Sequence, residues 1–310
     1  DVQALLFDAN SVFVRSTGIP SYGIGPFGDR NPAVPGEQAY LFRLPLAPAE
    51  TASPQATGLG NIGAFVNGVP MYNALDAFSW SAAAGADVAN MGGMGGMGGQ
   101  RGDGVWNRNA GMAERRGFDD CLGHPAPGRQ QNGAANGRYH HHIDPICLRR
   151  ELGDTDGTRH SPIIGWAFDG FPLYGPYGYA DPDDPHSPVQ RMRSSYHARD
   201  ISTRRTLPDG SAVPAGKEGP PVSASFPIGW YAEDYVFVAG SGDLDAFNGR
   251  WTRTPWPASW PKAAPCWART TSATPSTTAE PAAPTARPRR WSSCARSGST
   301  RWSSSAATAP

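Results

Sequence analysis

No stretch of this chain sustains an apolar period of 3.6 residues, and 38 glycines and 31 prolines interrupt its 310 positions. Proline removes a backbone donor and glycine weakens a helix interior, so long helices are excluded. What remains is short apolar runs between turn residues, the pattern of strands joined by loops. Ala4-Leu5-Leu6-Phe7 and Ser11-Val12-Phe13-Val14 are strand candidates, and Tyr40-Leu41-Phe42-Arg43-Leu44-Pro45 is another after the Gly/Pro-rich loop 18–28. Gly63 to Tyr72 reads as a hairpin turned by Asn67-Gly68. Ile163 to Phe168 reads as a buried strand and Asp169-Gly170 as a tight turn. Phe171-Pro172-Leu173-Tyr174 then returns as an edge strand, where proline is tolerated. Trp230 to Ala239 supplies one more strand. Leu75 to Trp80 comes nearest to a short helix, and residues 181–226 read as loop. The expectation is mainly β: a single β-sandwich-like domain over residues 1–255, with long Gly/Pro-rich loops and few short helices.

Beyond Pro255 the composition changes. Residues 256–310 contain no Ile, Leu, Val, Met, Phe or Tyr, so they cannot build a core and are expected to be a disordered basic tail. Their residue types are those of codons with C or G in the middle position, which is what a GC-rich gene gives in a shifted frame. A frameshifted end is therefore expected. Basic and acidic residues balance at 27 each, but seven bases and one acid lie in that tail, leaving residues 1–255 at −6. A general nucleic-acid or anionic-membrane surface is not indicated. No run approaches the ~18 apolar residues that span a bilayer. The chain opens at Asp1 without Met or a signal-like apolar segment, as a processed or trimmed protein would.

The chemistry concentrates between residues 121 and 147. His140, His141 and His142 stand side by side behind the glycine-rich run 128–137, and His124 lies just upstream in Cys121-Leu122-Gly123-His124-Pro125. In an extended Tyr139–Ile143, side chains alternate, so His140 and His142 share one face while Tyr139 and His141 share the other. Two imidazoles about 6–7 Å apart along a strand can share one metal ion. Cys121 and Cys147 are the cysteines of the region that reads as folded. Bonded, they close a loop of about 27 residues worth roughly 3–4 kcal/mol. Alternatively Cys121 is a thiolate ligand in Cys-x-x-His. Richness in Gly, Pro and Trp with few lysines suits an exported, disulfide-bonded protein.

Several of these runs resemble the YHYH domain. They are Gly18-Ile19-Pro20, Gly25-Pro26-Phe27, Asn31-Pro32, Asn67-Gly68-Val69-Pro70, Phe118-Asp119-Asp120-Cys121-x-Gly123-His124-Pro125, Tyr139-His140-His141-His142 and Asp169-Gly170-Phe171-Pro172-Leu173-Tyr174-Gly175-Pro176. The likeness extends from about residue 15 to 254. It implies an exported or surface protein (secreted, periplasmic or on the cell surface), mostly bacterial, of poorly defined activity. The family's second tyrosine is His141 here, and Ser21-Tyr22 stands where a polar residue and a histidine are expected. The tail replaces the final aromatic strand that usually follows Asn-Gly-Arg.

Three functional readings follow. The first is a transition-metal protein, copper or zinc, with His124, His140 and His142 as ligands and His160 or Asp169 as a fourth. The second is a metal-free hydrolase using Asp169 or Asp245 with a histidine such as His160. Ser161 is its nucleophile candidate, though it lacks the Gly-x-Ser-x-Gly elbow. The third is a non-catalytic module presenting Trp106, Trp166, Tyr174, Tyr177 and Tyr179 to surface glycan or protein. Two lesser sites complete the list. Met91, Met94 and Met97 of a flexible Met-Gly-Gly loop, 91–99, suit Cu(I), and Asp181-Pro182-Asp183-Asp184-Pro185 offers oxygens to calcium without EF-hand spacing.

Overall fold

The computed structural model describes residues 1–28, 33–49, 57–89, 102–126 and 136–244. The chain is mainly β with long connections, as its punctuation predicts. Among the described residues the helical elements are Ala110–Ala113, Ile146–Glu151 and the 3-10 turns Arg115–Gly117 and Ala232–Asp234. The described strands divide among six small sheets, the largest of four strands.

The first three expected strands form one antiparallel sheet, Val2–Phe7, Ser11–Ser16 and Tyr40–Pro45, in that order. Its inner face sets Val14, Phe42 and Leu44 against Ala64, with Trp166 and Phe168 alongside. The four-stranded sheet runs Pro172–Tyr174, Ile163–Ala167, Asn61–Phe65, Pro70–Tyr72. Its Asn67-Gly68 turn needs glycine, because Gly68 has φ +80° and a Cβ there would strike the Ser16 side chain. Asp169-Gly170 turns as expected, with the Asp169 carboxylate accepting the Phe171 N–H, and Pro172 lies on the outer strand. Phe65, Val69, Met71, Tyr139, Leu148, Ile164 and Leu173 form the main apolar cluster against this sheet. Burying each such side chain contributes roughly 1.5–3 kcal/mol.

Leu75 to Trp80 is not helical. It belongs to the strand Leu75–Ser81, which lies between Ala86–Ala89 and Asn107–Asn109. Pairing on both edges satisfies backbone groups that one isolated helical turn would leave open, and so outweighs local propensity. The strand carries Phe78 beneath the Arg108 guanidinium and Trp80 into a cluster with Trp106, Val213 and Tyr231. Residues 181–226 are not all loop either. Val189–Arg191 pairs with Tyr177–Tyr179, and Tyr196–Ala198 pairs with Tyr235–Phe237, the latter inside the expected Trp230–Ala239 run.

No helix among the described residues is long and apolar enough to cross a membrane. Asn31-Pro32, the Met-Gly-Gly repeat 91–99, Asp245 and residues 256–310 lie outside the described residues.

Candidate metal centre

The strand Arg138–His140 pairs antiparallel with His124–Ala126 in a register that sets His140 directly opposite His124. The chain then crosses to the edge of the four-stranded sheet. There the His141 N–H donates to the Pro70 carbonyl at 3.3 Å, and the Tyr72 N–H donates to the His141 carbonyl at 2.9 Å. Side chains alternate along this extended segment as expected. Tyr139 joins the main core cluster, and His141 meets Phe65 edge-on, 5.6 Å between centroids. His140 and His142 turn the other way, their rings 4.7 Å apart.

The loop that delivers His124 is built on Asp119. One oxygen of its carboxylate accepts the N–H groups of Cys121 and Gly123 at 2.9 and 3.0 Å. The other accepts the Tyr139 hydroxyl at 2.9 Å and the Gly25 N–H at 3.0 Å. Gly123 is required by close approach, since a Cβ there would lie 2.3 Å from the Tyr139 hydroxyl and 2.8 Å from the His141 ring. Cys121 and Cys147 are disulfide-bonded, with Cα atoms 5.1 Å apart, so Cys121 is not a thiolate ligand. The cross-linked loop contains all three converging histidines.

His124, His140 and His142 are all buried, and a ligand atom from each lies within 4.8 Å of the others. His140 Nδ1 faces the Arg138 carbonyl at 2.9 Å and His142 Nδ1 faces the Asn73 carbonyl at 2.5 Å. Carbonyl oxygens only accept, so both Nδ1 atoms carry the proton and both Nε2 atoms turn lone pairs inward. Those two Nε2 atoms are 2.9 Å apart. Facing lone pairs repel, and a cation between them, proton or metal, removes the repulsion. Both ring nitrogens of His124 are buried without a hydrogen bond. Aromatic rings wall the group: Tyr72 stacks on His140 at 3.8 Å between centroids, and Phe118 meets His124 edge-on at 4.9 Å.

Glu114 completes the cluster, and nothing in the sequence pattern flags it. Asn109 caps the helix Ala110–Ala113 by accepting the Gly111 N–H at 2.9 Å, and Glu114 is the residue that ends the helix. Its Oε2 lies 3.1 Å from His142 Nε2 and 3.4 Å from His124 Nε2. These contacts have ion-pair distance without hydrogen-bond geometry, so Oε2 is also buried without a hydrogen-bond partner. Burial works to raise the Glu114 pKa, but His124 and His142 outweigh it and hold the carboxylate below the usual range. Burial likewise opposes charge on His142, and Glu114 prevails, raising its pKa. His140 goes the other way: burial, then His142 and His124, hold it well below an ordinary histidine.

His141 has no place in this group. Its Nδ1 donates to the Leu122 carbonyl at 3.0 Å, and its Nε2 accepts from the Tyr22 hydroxyl at 2.9 Å. Burial pushes its pKa down from 6.5 to about 4. The unfolded chain therefore binds more protons than the fold between those values. His141's contribution is complete above pH 6.5 and is lost as pH falls through about 4, a difference on the order of 3 kcal/mol. Urea midpoints at pH 7, 5.5 and 4.5 should fall more steeply for the wild type than for His141→Gln. Parallel curves would remove His141 from the acid sensitivity.

The other expected site residues lie elsewhere. His160 packs on Tyr174 and Tyr179, with Nδ1 facing the Ser161 carbonyl at 2.8 Å. The Ser161 hydroxyl is buried, donating to Asp154 at 2.7 Å and accepting the Tyr177 N–H at 2.9 Å, so it does not face the His160 ring. Asp169 is exposed in its turn. Trp106 is wholly buried, Trp166 packs on the N-terminal sheet, and the Tyr177 ring has the guanidiniums of Arg149 and Arg191 at 5.7 and 5.6 Å from its centroid. Asp181 and Asp184 turn oxygens onto the N–H groups of Asp183 and His186, as a solvated loop does.

The sequence model of the YHYH protein family matches residues 41–277, and the whole histidine cluster falls inside it. The chain belongs to the YHYH family. The YHYH match begins after Gly18-Ile19-Pro20, Gly25-Pro26-Phe27 and Asn31-Pro32, and it ends later than the sequence motifs suggest. No curated protein and no solved structure matches the chain.

Proposed function

We propose that this YHYH protein is exported and binds a transition-metal ion, copper or zinc, through His124, His140 and His142. The observation that carries the reading is the convergence of three buried imidazoles, one ligand atom from each within 4.8 Å of the others. His140 and His142 are locked by backbone carbonyls into the tautomer that presents Nε2, and His124 reaches them with both nitrogens unpartnered. Orientation of a ligand ring through its other nitrogen is how protein metal sites fix their imidazoles. Nitrogen donors suit zinc and copper alike. The Cys121–Cys147 disulfide supports export, since such bonds persist in oxidising compartments.

Elemental analysis by plasma mass spectrometry tests the proposal. The wild type is expected to carry about one ion of copper or zinc per chain after incubation with both. A His140→Ala/His142→Ala variant, still folded by circular dichroism, should retain under a tenth of it. A wild type that stays metal-free would make the cluster structural and sink the reading.

A further inference from the structure

The geometry points to Glu114 as a fourth ligand, closing a three-histidine, one-carboxylate site around a divalent ion that serves as a structural cross-link. This inference rests on the metal-binding reading and says which donors hold the ion and what it does there.

Glu114 Oε2 reaches two of the three clustered histidines, His142 and His124, through their Nε2 atoms. Glu114 Oε2 and both His124 nitrogens are buried without hydrogen bonds. Such groups normally carry a large desolvation cost, and a cation at their centre satisfies Glu114 Oε2 and the His124 nitrogen that faces it. Distances agree with one ion. Ligand bonds of about 2.0–2.1 Å place tetrahedral donor atoms about 3.3–3.4 Å apart. Here His140 Nε2 to His142 Nε2 is 2.9 Å, His142 Nε2 to Glu114 Oε2 is 3.1 Å, and His124 Nε2 to Glu114 Oε2 is 3.4 Å. Three of the six edges of the donor tetrahedron are thus already close to their bound lengths, and Glu114 has to shift toward His140 to close the set, since the mutually close group is the three histidines. A fourth protein ligand leaves no open position for substrate, which is the arrangement of structural rather than catalytic sites. Carboxylate and imidazole also match the preference of divalent ions for nitrogen and oxygen.

The ion would join separate pieces of chain. Glu114 ends the Ala110–Ala113 helix, His124 follows the disulfide-bonded loop, and His140 and His142 lie on the segment that reaches the four-stranded sheet. Besides the Cys121–Cys147 bond, these pieces meet through short strands and single side chains.

Zinc affinity, the visible spectrum of the cobalt(II)-loaded protein and thermal stability with and without zinc would be compared in wild type, Glu114→Gln and Glu114→Ala. The glutamine variant keeps the side-chain volume should the alanine variant fail to fold. Wild type is expected to show the intense bands of four-coordinate cobalt and a zinc-dependent rise in melting temperature. Both variants should bind zinc at least tenfold more weakly, with altered cobalt bands and a smaller thermal shift. Wild-type affinity and an unchanged cobalt spectrum in both variants would overturn the role of Glu114 while leaving the three-histidine reading intact. No binding of zinc, cobalt or copper by wild type would overturn both.

Discussion

Replacing Cys121 and Cys147 by serine is expected to cost roughly 3–4 kcal/mol of stability and to weaken metal binding in the same protein. The bond spans 26 positions, so breaking it frees a loop of that size in the unfolded chain. It also anchors both sides of the histidine cluster. Cys121 sits in the turn that Asp119 organises, three residues before His124. Cys147 lies on the helix Ile146–Glu151, whose Leu148 is in the main core, five residues after His142. Without the bond, His124 would be held by the Asp119 turn and the three-residue pairing of His124–Ala126 with Arg138–His140. Urea denaturation of the serine variant and of reduced wild type should show the same loss, and zinc titration should show affinity falling several-fold. A loss below about 1 kcal/mol with unchanged affinity would mean that the hydrogen bonds of Asp119 suffice to place His124. A protein that depends on this bond is poorly suited to a reducing compartment, which agrees with the proposed export.

The strand alternation that faces His140 and His142 away from Tyr139 and His141 is legible in the sequence because a strand has a fixed side-chain period of two. The turns at Asn67-Gly68 and Asp169-Gly170 are legible for a similar local reason: their residues are those that tight turns demand. Glu114 is not legible. It ends a four-residue helix too short for any periodicity, ten positions ahead of His124, in an Ala-Glu-Arg-Arg run that resembles any solvated surface. Its only local signal is the Asn109 cap, and a cap gives a helix start without saying what the far end meets. Leu75 to Trp80 fails for the opposite reason, since both of its sheet partners are remote in sequence or follow a turn. One long-range contact did leave a trace. Tyr22 and His141, two of the places where the sequence differs from what the YHYH resemblance leads one to expect, meet at 2.9 Å. The pair supplies one hydroxyl donor and one imidazole acceptor.

Changing Arg204 to methionine is expected to cost roughly 3–5 kcal/mol, because it leaves a buried carboxylate without its counter-charge. Arg204 is completely buried. It donates to the two oxygens of Asp234 at 2.7 and 2.8 Å and to the carbonyls of Pro220 and Pro227 at 2.8 and 3.0 Å. Its guanidinium also lies 4.9 Å from the Tyr231 ring centroid. Asp234 in turn accepts the N–H groups of Gly229 and Tyr231 at 2.9 and 3.1 Å, so the pair fixes the turn 227–234. That turn supports the candidate centre from a distance. The Gly229 carbonyl accepts the Asn109 side-chain amide at 3.0 Å and the Trp230 carbonyl accepts the Asn109 N–H at 2.9 Å, which sets the cap of the helix that ends at Glu114. Arg204→Met should therefore lower zinc affinity as well as the urea midpoint. The double variant Arg204→Met/Asp234→Asn should be more stable than Arg204→Met alone, since no unpaired charge stays buried while an acceptor for the two N–H groups is kept. A double variant no better than the single one would show that the carbonyl contacts of Arg204, rather than its charge, hold the turn, and that Glu114 is placed by shape more than by electrostatics.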